Sequence, residues 1–175
     1  MLKALIVGIA VAGAVAPRLT VQPARSPRWP SHAAISVWID VRTAPPAAAA
    51  LVDRAIATWT QAADGVYGET APHVDRTTGA IGSAEVLIGG VVSGDARRQR
   101  VVIYLTALHE LGHALGLPHT DAFDDIMYSF RRPDDGERYF GAYERRLRSI
   151  DDIGTERATG LSPADLAAIR VLYDR

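Results

Sequence analysis

Residues His109 to Thr120 read His-Glu-Leu-Gly-His-Ala-Leu-Gly-Leu-Pro-His-Thr, and they hold three of the chain's five histidines. Histidines four apart on a helix project from one face, so His109 and His113 can grip a single ion. Glu110 sits beside them, poorly placed as a third ligand and well placed to reach a water on the metal. Gly116 can adopt positive φ at little cost, which lets the helix end and the chain turn back. Pro118 discourages helical continuation, and His119 arrives as a third nitrogen donor. Three protein ligands leave one tetrahedral position open for water, the pattern of a catalytic zinc rather than a structural one. The chemistry expected is hydrolysis, with His109, His113 and His119 on one zinc ion and Glu110 as the general base. The alternative is a helix end carrying three histidines by chance.

The rest of the chain must position these groups. The 175 residues are 48% hydrophobic, enough for one packed catalytic domain. A net charge of −1 gives no reason to expect a nucleic-acid partner. Lys3 is the only lysine among 19 basic residues, a bias that fits a GC-rich bacterial coding sequence. Cysteine is absent, which excludes disulfides, a lipoprotein anchor and a thiolate nucleophile.

Residues 1–16 carry one lysine and then an apolar run ending Ala14-Val15-Ala16, as a secretory signal peptide does. The run is short of the ~20 residues of a full span, so export is expected, with an uncleaved membrane anchor as the alternative. Residues 17–31 contain Pro17, Pro23, Pro27 and Pro30 and read as a Pro/Arg-rich linker. The catalytic domain is then residues 32–175. A membrane enters only if the N-terminal segment stays attached.

Ala33 to Val41 alternates as a strand with one buried face. Pro45 and Pro46, with Thr43 as a cap, open a helix to about Ala63, where Gly65 stops it. Its Leu51, Val52, Ala55, Trp59 and Ala62 recur at helical spacing. Strands are expected around His73 to Thr77 and over Ala84 to Val92. Val101 to Leu115 begins like a strand, yet Val101, Leu105, Leu108, Gly112 and Leu115 mark one helical face. Leu161 to Tyr173 has a helix start in Ser162, Pro163 and Asp165.

With these elements placed, the sequence resembles the metzincin zinc peptidases, and within them the matrixins. The likeness extends beyond the histidines. Asp125-Ile126-Met127-Tyr128 resembles the family's methionine turn, Ala84 to Ile88 its strand before the active-site helix, Trp59 its core tryptophan, and Leu161 to Asp165 with Ile169, Leu172 and Tyr173 its last helix. It covers roughly residues 33–175.

The resemblance implies an α+β metzincin fold: a twisted, mostly parallel sheet of about five strands, two helices, and a small C-terminal lobe carrying a final helix. Met127 would be an apolar floor beneath the metal, and Gly116 the turn that brings in His119. Ser129 stands where some metzincins place a tyrosine ligand, so no fourth protein ligand is expected. Asp165 has two readings, support of the methionine turn or a first-turn helix carboxylate. The implied activity is cleavage of protein or peptide substrates by a monomeric, secreted or extracytoplasmic endopeptidase.

Three departures matter. Only residues 89–100 stand where matrixins hold structural zinc and calcium, so neither ion is expected, and His32 and His73 read as ordinary polar residues. No cysteine is present and no acidic residue lies between Pro17 and Ile39, so the N-terminal arm cannot block the zinc. Phe130 to Gly160 is long and charged where the family builds the wall of the pocket for the side chain after the scissile bond. A strand near Glu85 to Val91 could bind substrate backbone by strand addition. The rival readings are a zinc hydrolase acting on something other than peptides and a secreted protein with a non-catalytic metal site; retention of Glu110 argues against the second.

Overall fold

The computed structural model describes residue 29 and residues 34–37, 45–67, 73–76 and 95–173. In chain order they form β1 (Ala34–Val37), α1 (Ala48–Tyr67), β2 (His73–Arg76), α2 (Ala96–Ala114), α3 (Asp135–Arg146), a 3-10 turn (Ile150–Asp152) and α4 (Pro163–Tyr173). The strands pair in parallel, Ala34 opposite His73 through Val37 opposite Arg76.

The expected sheet of about five strands requires correction. The described residues are predominantly helical, with two strands of four residues each. The strand expected over Ala84 to Val92 lies outside the described residues, as do the leader, Thr43 and His32. Among the described residues, helices rather than a broad sheet cover the apolar surface. α1 packs on α2 and α4, and α3 packs on α2. Val101, Ile103, Tyr104, Leu105, Ala107 and Leu108 are all buried. Six such positions in eight residues surround α2 with neighbours, so its opening Val-Val-Ile-Tyr serves a helix enclosed by other helices.

Element ends also differ from expectation. Pro45 and Pro46 lead into α1 without joining it, the Ala48 amide bonding back to Pro45 O at 2.9 Å. The helix passes Gly65 and ends at Tyr67; one interior glycine costs only about 1 kcal/mol. α2 begins a turn and a half before its apolar pattern does. Asp95 caps it, its carboxylate accepting the Arg98 amide at 2.9 Å. α3 falls within the long charged segment. Its charges follow the helix dipole, Asp135 and Glu137 in the first turn, Arg145 and Arg146 in the last. Its Tyr139 and Tyr143, four apart, are buried.

Trp59 ties α1 to α2. It is 2% exposed and its indole N–H donates to Leu108 O at 2.8 Å. Tyr104 extends the same seam, its hydroxyl 3.0 Å from that of Thr58. Trp29, from the stretch read as linker, is half-buried against the end of α2 and donates its indole N–H to Ala114 O at 2.6 Å.

Candidate metal centre

The last turns of α2 present His109, Glu110 and His113. The helix ends at Gly116, whose φ of 100° is one an L side chain avoids. Leu117 N bonds to Gly112 O at 3.0 Å and Gly116 N to His113 O at 2.9 Å, the two bonds of a Schellman ending. That reversal carries His119 back over the helix. Next, Thr120 N donates to Met127 O at 2.8 Å and Ser129 N to Thr120 O at 2.9 Å. The segment after the third histidine is thereby stitched to the methionine turn.

The three imidazoles converge. His119 Nε2 lies 3.3 Å from His109 Nε2 and 3.0 Å from His113 Nε2. Zinc–nitrogen bonds of ~2.0–2.1 Å at tetrahedral angles place ligand nitrogens about 3.3 Å apart. The opposite edge of two rings is fixed by backbone: His109 Nδ1 sits 2.6 Å from Ile126 O, and His113 Nδ1 2.9 Å from Leu117 O. A carbonyl only accepts, so each Nδ1 carries the proton and each Nε2 turns a lone pair inward. Burial holds His109 at a pKa of about 4 and also lowers His119, so neutral donor rings are favoured. Three neutral nitrogens at this spacing suit zinc and lack the oxygen donors that calcium requires.

Glu110 is 8% exposed, and burial raises its carboxyl above the usual range while His113 opposes the shift. With His109 it lines a pocket of about 370 Å³. Leu105 and Thr106 of α2 form one wall, Tyr139 and Phe140 of α3 another, and Phe130 lies between. Phe130 stacks on Phe140 with ring centres 5.9 Å apart and reaches within 6.0 Å of the His109 ring.

Met127 is 2% exposed and lies under α2, so close to Gly112 that a Cβ there would come within 2.4 Å of its sulfur. Asp165 satisfies both of its readings at once. Its Oδ2 accepts from Ile126 N at 2.9 Å, in the methionine turn, and from Ser162 N at 2.7 Å, while Ser162 Oγ accepts from Asp165 N at 3.0 Å. Burial raises its pKa and the hydrogen bonds from Ile126 and Ser162 pull it down.

Sequence reasoning missed Asp135. It is fully buried, and its Oδ2 accepts from Tyr128 OH at 2.9 Å, Arg131 N at 3.1 Å and Arg132 N at 2.9 Å. It therefore gathers the loop that carries Phe130. The signal was available: an aspartate opening an amphipathic helix just after a proline. His73 lies on β2.

Residues 55–141 match the family model described as matrixin. The match runs from mid-α1 into α3 and includes all three histidines and Glu110. Comparison with curated proteins gives no match.

Proposed function

Because the chain belongs to the matrixin family, we propose that it is a zinc-dependent endopeptidase hydrolysing extended protein or peptide substrates. His109, His113 and His119 hold one zinc ion and Glu110 is the general base. The observation that carries this reading is the convergence of three inward-facing Nε2 atoms beside a buried carboxylate that lines a pocket.

Bound there, zinc would supply Lewis-acid chemistry, polarising the scissile carbonyl and acidifying the attacking water. The residues do the rest. Glu110 accepts the proton of the attacking water and passes it to the departing amine, and its raised pKa brings it nearer to neutrality for both transfers. The Ile126 and Leu117 carbonyls hold His109 and His113 in the ligand tautomer. The aromatic pocket beside Glu110 takes the side chain that follows the scissile bond. Met127 supports the helix beneath the ligands, and Gly116 supplies the turn.

The catalytic domain spans residues 32–175, preceded by the linker 17–31 and an export leader or anchor at 1–16, and it acts as a monomer outside the cytoplasm. Among the described residues no helix is long and apolar enough to cross a membrane.

The test is cleavage of an unfolded protein by the zinc-loaded chain, with Glu110→Ala at equal zinc content beside it. A loss of about 10²–10⁴-fold in the variant is expected. Equal cleavage by both would remove Glu110 from the mechanism. Cleavage by neither, with zinc bound, would sink the peptidase reading.

A further inference from the structure

We infer that an arginine–glutamate clamp remote from the histidines sets the width of the pocket beside Glu110, and so the size of the substrate side chain the site accepts. The inference rests on the peptidase reading above.

The pocket is the histidine-proximal part of a cleft between two helices. Leu105, Thr106, His109 and Glu110 come from α2, and Gly136, Tyr139 and Phe140 from α3. Its width is therefore the separation of α3 from α2. At the far end of α2, two turns before Leu105, Arg97 and Arg98 reach across the same cleft. Arg98 Nη2 pairs with Glu137 Oε1 at 2.5 Å, and its buried Nη1, which makes no hydrogen bond, lies 3.2 Å from Glu144 Oε2 as an ion pair. Glu137 and Glu144 are seven residues apart, two turns on one face of α3. They bracket Tyr139 and Phe140, the wall itself. Arg97 closes the end of α3, donating to Leu147 O at 2.7 Å and to Glu144 O at 3.1 Å, a carbonyl that also accepts the Leu147 amide at 3.2 Å. The guanidinium crosses α3 over Gly141, where a Cβ would lie 3.5 Å from Arg98 Nη2, at ordinary contact distance.

This pairing is not an ordinary surface ion pair. The side chains of Arg98 and Glu144 are each 20% exposed, so salt screens them incompletely. Glu137 is 76% exposed and contributes less. α3 has other attachments, Tyr143 OH donating to Ala158 O at 2.5 Å and Tyr139 OH to Asp125 O at 3.0 Å. Losing the clamp thus leaves α3 docked through these bonds but with more play against α2, loosening the pocket without moving Glu110 or the histidines.

The experiment uses the zinc-loaded full chain and four peptides differing only in the residue after the scissile bond: alanine, leucine, phenylalanine and tryptophan. Arg98→Met keeps the stem and removes the charge. For the peptide the parent prefers, KM should rise roughly fivefold, the scale of a partly buried ion pair, with kcat unchanged. The spread of kcat/KM across the four peptides should narrow. Glu144→Gln should act the same way, the double variant should add little, and Arg98→Glu with Glu144→Arg should recover part of the spread. An Arg98→Met enzyme with the parent's spread, or one losing kcat at constant KM, would overturn the clamp.

If the parent cleaves none of the peptides, the peptidase reading fails and amide exchange judges the clamp alone. Faster exchange at Tyr139 and Phe140 in Arg98→Met, at unchanged zinc affinity, supports it; equal exchange overturns it. Should Arg98→Met not fold, Glu144→Gln decides on the same four peptides: a narrowed spread supports the clamp, and an unchanged spread overturns it.

Discussion

Asp165 and His109 are joined through a single residue: Asp165 Oδ2 accepts the amide N–H of Ile126, and the carbonyl of the same Ile126 accepts the Nδ1 proton of His109. A carboxylate on the last helix thus orients one imidazole of the histidine cluster on α2 by way of the methionine turn. Asp165→Ala should weaken zinc binding by about 10–100-fold, read by competition with a chelator. Ser162→Ala removes the cap on the same helix and should cost about 1 kcal/mol of stability with zinc affinity kept. Equal zinc affinity in parent and Asp165→Ala would break the proposed link.

Gly112 sits against Met127 and Trp59. Alanine favours a helix interior by about 1 kcal/mol over glycine, so propensity alone forecasts a gain. The added Cβ would meet Met127 Sδ at 2.4 Å and a Trp59 ring carbon at 3.2 Å. Overpacking costs about 1–3 kcal/mol, and Trp59 has little room to yield because its N–H is bonded to Leu108 O. Gly112→Ala should therefore destabilise by roughly 1 kcal/mol in chemical denaturation. A stabilised variant would show that the methionine simply moves aside.

Gly116→Ala tests the turn that delivers His119. The φ of 100° lies where an L residue is strained, at a cost of order 1–3 kcal/mol. Relief of that strain unwinds the reversal, so zinc affinity should fall along with stability. Lost stability with full zinc affinity would mean that His119 finds its place by another route.

Asp135 carries a pH signature. The Arg132 amide, then Tyr128 OH and the Arg131 amide, hold its pKa below the ordinary 3.8, against the opposing effect of burial. A depressed folded pKa stabilises the protein above 3.8, and that contribution is lost as pH falls through the folded value. Asp135→Asn should be less stable than the parent at neutral pH, and the difference should shrink below pH 3.8. A constant difference from neutral pH to pH 3 would place the cause in packing rather than charge.

Much of the site was legible because its information is local. HExxHxxGxxH brings His109 and His113 to one helical face by helical period and His119 beside them by a glycine turn, and the three imidazoles converge as that spacing requires. Ser162, Pro163 and Asp165 marked the start of α4 by capping chemistry alone. α3 was less legible. Its apolar residues are few among charges, and its burial comes from docking on α2, which no local pattern reports. The sheet of about five strands was expected from the family resemblance, not from the residues: the apolar runs themselves marked three strands, and those at Ala33 to Val41 and His73 to Thr77 contain β1 and β2. Such runs state that a segment is buried, not how many strands cover it.

The sequence by itself therefore determined the chemistry: which side chains can hold zinc, which carboxylate can move a proton, and where the helix must break, all set by spacings of at most eleven residues. Only the tertiary structure decided how those groups are held. Asp165 meets Ile126 across 39 residues, Arg98 meets Glu144 across 46, and Trp59 meets Leu108 across 49. Contacts at such separations arise from chain closure and packing, where many partners satisfy the same local pattern and the packed core selects one.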